Sequence, residues 1–169
     1  MKILGVDPGL AHVGAAVVDV GGARPVVVCT RPLRTTPSLP EDARWRSIAL
    51  DLVEMIRDYH PTAVGVEAQR GAWLGRARRG ETNSDALATI ECVGLVRGIA
   101  AIYDLPVLMV EPSTVKIAVL GRGGGRAGKD AVIAAVRRLF VGCPTACTSH
   151  QADAMAIALA VGRRLRRAR

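Results

Sequence analysis

Two short apolar runs, far apart in the chain, each end on an acid: Lys2 to Asp7 (KILGVD) and Ala63 to Glu67 (AVGVE). Runs of this length bounded by turn signals read as buried strands. A carboxylate at the end of a buried strand is costly to desolvate. In open α/β sheets the functional crevice lies outside the carboxyl ends of the strands. The pattern therefore favours folds in which these two strand ends lie side by side.

The intervening patterns supply the rest of the architecture. Pro8-Gly9 closes the first run as a turn. Val13 to Val20 and Pro25 to Thr30 flank GGAR and read as a hairpin, so the chain opens with three strands. Glu41 to Tyr59 has helical spacing, with Trp45, Ile48, Leu52, Met55 and Ile56 on one side, and His60-Pro61 closes it. After the strand ending at Glu67 comes a Gly- and Arg-rich loop, Ala68 to Gly80. A helix capped by Asn83 or Ser84 then runs to about Tyr103. Leu105 to Val110 is a strand, Glu111-Pro112-Ser113 opens a short helix, and GRGGGRAG (Gly121 to Gly128) is a flexible loop. Lys129 to Phe140 is an amphipathic helix, and His150 to about Arg167 is the last, rich in Ala. The order βββαβαβααα gives a mixed α/β sheet of five strands: an antiparallel opening, then parallel neighbours joined by right-handed crossovers, with helices on both faces. With no internal repeat and no linker composition, residues 1–169 read as one domain, with a basic tail over 163–169.

Composition excludes several classes. Half of the 169 residues are hydrophobic and only four are Cys, which excludes collagen, a disulfide scaffold and a disordered tail. No apolar run reaches membrane-spanning length, and MKILGVDPG meets an acid too early for a signal peptide. A soluble, cytoplasmic protein is expected.

The formal net charge is +8, and 20 of the 23 basic residues are Arg. Arg70, Arg76, Arg78 and Arg79 crowd one loop, Arg122 and Arg126 lie in the Gly-rich loop, and Arg163, Arg164, Arg166, Arg167 and Arg169 form the tail. The planar guanidinium binds two phosphate oxygens at once, so this balance points to a polyanion such as nucleic acid; coding bias and helix-end solvation are the bland alternatives. Cys143 and Cys147 stand C-x3-C with His150 close behind, but a zinc site needs a fourth ligand, so reduced thiols are expected.

The last helix begins S-H-Q-A-D-A, which puts His150 and Asp153 three apart on one face. Each acid alone has an ordinary reading: Asp7 as a turn residue, Glu67 as a solvated strand end, Asp153 as a helix-dipole acid, His150 as a cap. Together they form a set. Like charges held close repel unless a cation lies between them, and oxygen-rich donors suit Mg²⁺ or Mn²⁺. Such a set can hold two divalent ions, which clamp the attacking and leaving oxygens of a phosphodiester displacement by water.

The segments ILGVDPGLAHVGAAVV, VGVEA, EPSTVKIAVLGRGGGRAGKDAV and SHQADAMAIALA, in this order over most of the chain, resemble RuvC-type Holliday junction resolvases. The resemblance implies a ribonuclease H-like fold, in which the first strand pairs antiparallel with the second and parallel with the fourth. It also implies a homodimer and Mg²⁺-dependent resolution of four-way DNA junctions by paired nicks, in recombination and repair. Position by position, Asp7, Glu67 and Asp153 match three catalytic acids. The fourth falls on His150, where many members have Asp and some have His. Lys116 and Lys129 match two lysines near the active site. One match fails: the aromatic that follows the catalytic Glu in many members is replaced by Arg70, and Trp73 is the nearby residue able to stack on an unpaired base. A branch-migration motor would be a partner of a chromosomal member but not necessarily of a phage-encoded one. The rival readings are a YqgF-type ribonuclease H-like nuclease acting on RNA, a non-catalytic junction-binding protein, and an actin-like ATPase, for which the chain is too short.

Overall fold

The computed structural model describes residues 1–68 and 84–168, with 84 and 85 described by backbone alone. Five strands, β1 (Lys2–Asp7), β2 (His12–Asp19), β3 (Val26–Arg34), β4 (Ala63–Glu67) and β5 (Val107–Val110), form one sheet in the order β3-β2-β1-β4-β5. β1-β2 and β2-β3 are antiparallel; β1-β4 and β4-β5 are parallel. The helices are α1 (Glu41–Tyr59), α2 (Ser84–Ile102), α3 (Pro112–Leu120), α4 (Lys129–Leu139) and α5 (Ser149–Arg167). The predicted order and mixed sheet are those observed.

Two boundaries differ from expectation by more than one residue, for local reasons. β3 runs on to Arg34 through Pro32, which an edge strand tolerates because one side of it has no partner to serve. β5 begins only at Val107, because the Leu105 N–H turns back to Ala100 O and Pro106 has no donor. The Gly121-to-Gly128 loop contains a 3₁₀ turn, Gly124–Arg126.

Strand alternation sends the two faces into two cores. Leu4, Val6, Val64 and Val66 pack with Ile48, Leu52 and Met55 of α1 and Cys92 and Val96 of α2. Ile3 and Ala63 point the other way, with Val115, Val136, Met155 and Ile157 from α3, α4 and α5. By the same period of two, Asp7 follows Ile3 and Gly5, and Glu67 follows Ala63 and Gly65, onto the α5 face. α5 lies very close to the sheet there: a Cβ at Gly5 would fall on the Ala154 carbonyl oxygen, and one at Gly14 on the His150 carbonyl oxygen. The alanines Ala152, Ala154, Ala156 and Ala158, all buried, keep the helix side equally thin.

Candidate active site

Asp7 and Glu67 occupy adjacent strand ends. Val6 pairs with Val66 in parallel register, so the next residue on each strand lies side by side, about 4.8 Å being the usual strand spacing. The start of α5 is fixed over them by a reciprocal cap. Thr148 Oγ1 accepts from the Gln151 N–H at 3.3 Å, and the Gln151 side-chain oxygen accepts from the Thr148 N–H at 3.1 Å. The buried Gln151 amide also donates to Thr30 on β3. This cap sets the first turn, and with it His150 and Asp153, beside the carboxyl end of β1.

The His150 Nδ1 and Asp7 Oδ2 are 2.7 Å apart. That bond, only partly opposed by burial, raises the His150 imidazole above its ordinary value; the charges of Asp7 and Asp153 add to it and Lys129 works against it. The Asp153 carboxyl is pushed up to about 6, first by burial and then by the charge of Asp7, with His150, Lys129 and Lys116 pulling it down. These mutual effects put Asp7, His150, Asp153, Lys116 and Lys129 in one electrostatic neighbourhood. A carboxyl raised by burial and further by a neighbouring carboxylate marks a site short of positive charge.

Among the described residues, no three His, Cys, Asp or Glu side chains stand gathered around a point as metal ligands. The donor chemistry nonetheless fits a hard divalent cation: carboxylate oxygens and one imidazole. With Nδ1 as the donor to Asp7, the neutral imidazole leaves its Nε2 lone pair free, the usual arrangement for a metal-ligating histidine.

The other expected residues divide. Lys116 Nζ donates to Ala127 O at 2.7 Å and so ties α3 to the loop bearing Arg122 and Arg126, both exposed. Lys129 is exposed at the start of α4. Arg166, in the basic tail, donates to Val20 O at 2.7 Å and so fastens α5 to the end of β2. Arg70, Trp73, Arg76, Arg78 and Arg79 lie outside the described residues, as does Arg169. Cys143 and Cys147 are free thiols, and burial pushes Cys147 up to about 12, so it stays protonated. Sequence reading missed His12, whose ring stacks on His150 with centroids 5.6 Å apart. Its one sequence signal was its place at the first residue of β2, just past the turn that follows Asp7.

This sheet order, with an acid ending β1 and its partner ending β4, is that of the ribonuclease H-like proteins. The family model described as crossover junction endodeoxyribonuclease RuvC matches residues 3–161. The chain is 33% identical over 159 residues to the crossover junction endodeoxyribonuclease RuvC of Synechococcus sp. (strain CC9902), covering 94% of this chain and 96% of that one. It is 34% identical over 160 residues to the RuvC of Nocardioides sp. (strain ATCC BAA-499 / JS614), covering 94% and 85%. The structure of T. thermophilus RuvC in complex with a Holliday junction substrate superposes with a TM-score of 0.83 at 31% identity, over 99% of this chain and 96% of that one. The chain belongs to the RuvC family of crossover junction endodeoxyribonucleases.

Proposed function

We propose that this protein resolves four-way DNA junctions, as a homodimer whose subunits each cut one of two opposed strands by hydrolysis. The observation that carries this reading is the arrangement of Asp7 and Glu67 on adjacent strand ends beneath the capped start of α5, with His150 bonded to Asp7. A two-fold dimer on a two-fold junction makes paired nicks a consequence of symmetry.

Asp7, Glu67, His150 and Asp153 are the groups that would hold divalent cations, two Mg²⁺ per site with Mn²⁺ as a substitute. Bound there, such ions would supply an activated water and neutralise the departing 3′ oxygen, leaving 5′-phosphate and 3′-hydroxyl ends. The protein's own residues do the positioning. Asp7 orients the His150 ring. Lys129 brings positive charge beside the acids, where a scissile phosphate gathers negative charge. Lys116 holds the Ala127 carbonyl and so orders the loop that presents Arg122 and Arg126 to the backbone. These arginines, with Arg70, Arg76, Arg78 and Arg79, would grip phosphates, which makes binding strongly salt-dependent. Trp73 would stack on an unpaired base. Among the described residues no helix is long and apolar enough to cross a membrane, and the activity belongs in the cytoplasm, where the DNA is.

A labelled synthetic four-way junction tests the reading. Paired, symmetric nicks that need Mg²⁺ and vanish with EDTA are expected, with linear duplex and RNA left uncut. Cleavage of RNA in preference to the junction, or an Asp7→Asn variant that cuts as well as the parent, would overturn it.

A further inference from the structure

A cleft of about 810 Å³ has His150 in its lining. The turn from Pro8 to His12, Arg44 of α1 and Leu87 of α2 line it. Its size suits one or two nucleotides rather than a bare ion. Because His150 lines it, whatever occupies it is continuous with the site of cleavage.

Arg44 is the notable group in this cleft. Its Nε donates to Thr35 Oγ1 at 2.9 Å, and Thr35 in turn donates to the carbonyl of Leu10. The half-buried guanidinium is thereby indexed to the turn that follows Asp7. Arg31 spends its charge on Asp51 and Glu54; no carboxylate among the described residues pairs with Arg44. An arginine anchored through Nε keeps both Nη groups for a planar, two-oxygen contact with phosphate. His12, which also lines the cleft, is exposed and stacked on His150 at an interplanar angle of 15°. An exposed aromatic ring continuing a stack is a platform for a base. Two acids also line the cleft, Glu41, which accepts from Trp45 Nε1 at 3.3 Å, and the exposed Glu91. Each can accept from an exocyclic amine of a base.

We propose that Arg44 and His12 form a nucleotide subsite for the cut strand, Arg44 holding a backbone phosphate next to the scissile one and His12 stacking the adjoining base. The inference rests on the junction-resolving function proposed above and assigns the path of the strand beyond the reacting phosphate. Both residues are substrate-positioning.

The test uses the full chain and a set of four-way junctions. In one series each phosphate of the cut strand near the cleavage point is replaced singly by a neutral methylphosphonate; in another, each base is removed. For the parent, one such phosphate near the cut should lower kcat/KM about tenfold, the weight of one charge-assisted contact. In Arg44→Ala the same replacement should cost nothing further, while replacements elsewhere still cost what they cost the parent. Arg44→Gln keeps a donor toward Thr35 and serves if the alanine variant fails to fold. Likewise one abasic position should become silent in His12→Ala but stay costly in His12→Phe. Losses that simply add at every position would overturn the subsite. A parent chain that cuts no junction would overturn the functional reading itself, before any variant is made.

Discussion

His150 Nδ1 and Asp7 Oδ2 are 2.7 Å apart, so a side chain near the end of the sequence is oriented by one at its beginning. The two elements meet because the sheet beneath α5 is stripped of side chains at Gly5 and Gly14. One carboxylate thus turns the imidazole, and a second, Asp153, sits raised to about 6 beside it.

Replacing the imidazole with a carboxylate tests its role as a donor. His150→Asp makes the site more negative and harder, so junction cleavage should persist while the ratio of Mg²⁺-supported to Mn²⁺-supported rate rises. The measurement is that rate ratio for parent and variant. An unchanged ratio would show that the imidazole does not contact the metal.

The same bond gives a pH dependence with a definite sign. Asp7 raises the His150 imidazole above its ordinary 6.5, so the folded state binds its proton more tightly than the unfolded chain. The stabilisation is fully present below pH 6.5 and is lost as pH rises through the raised value. In a cation-free NMR titration, the His150 ring should titrate above 6.5 in the parent and move back down in Asp7→Asn. A ring that titrates alike in both would refute the linkage.

Much of this site was legible because strand alternation is simple arithmetic. An acid two residues beyond Gly5, and another two beyond Gly65, must point to the face that α5 covers. The pairing of β1 with β4 was not forced by either strand alone; it followed from chain order and the family resemblance. His12 and Arg44 were illegible for a physical reason. Their meaning depends on the β2 register and on a relay through Thr35 to Leu10, contacts spread over three separate segments. The Gly-rich stretch 121–128 shows what composition leaves out. Composition describes a flexible loop; it does not encode the 3₁₀ turn at Gly124–Arg126 or the bond from Lys116 to the Ala127 carbonyl.

Asp153 should carry a stability cost that its function requires. Its carboxyl, raised from 3.8 to about 6, is ionised at pH 7 against the pull of burial, so folding stability falls as pH rises from about 4 to about 6 and stays reduced above. Asp153→Asn removes the charge. Discounted for partial exposure, the gain is about 2 kcal/mol, or roughly 4–8 °C in Tm for a chain of this length. Melting in EDTA at pH 7 should show the variant more stable and unable to cut. The gap should close below about pH 4, where the parent's carboxyl is protonated as well. A variant that melts lower at pH 7 would contradict the burial argument.

The close seat of α5 on the sheet makes Gly14 as decisive as any acid. Gly14 pairs with Asp7 across β1 and β2, and a Cβ there would fall on the carbonyl oxygen of His150. That atom belongs to the helix backbone, so no side-chain rotation can relieve the clash. α5 must lift, at a cost of about 1–3 kcal/mol or more, and carry His150 away from Asp7. Gly14→Ala should therefore lower the urea midpoint and reduce cleavage together, even though Gly14 has no reacting group. In the same experiment Gly94→Ala, on α2 where nothing lies within 4 Å of an added Cβ, should hold or raise the midpoint, since alanine favours the helix by about 1 kcal/mol. Equal midpoints for parent and Gly14→Ala would mean that the helix does not rest on the sheet at this point.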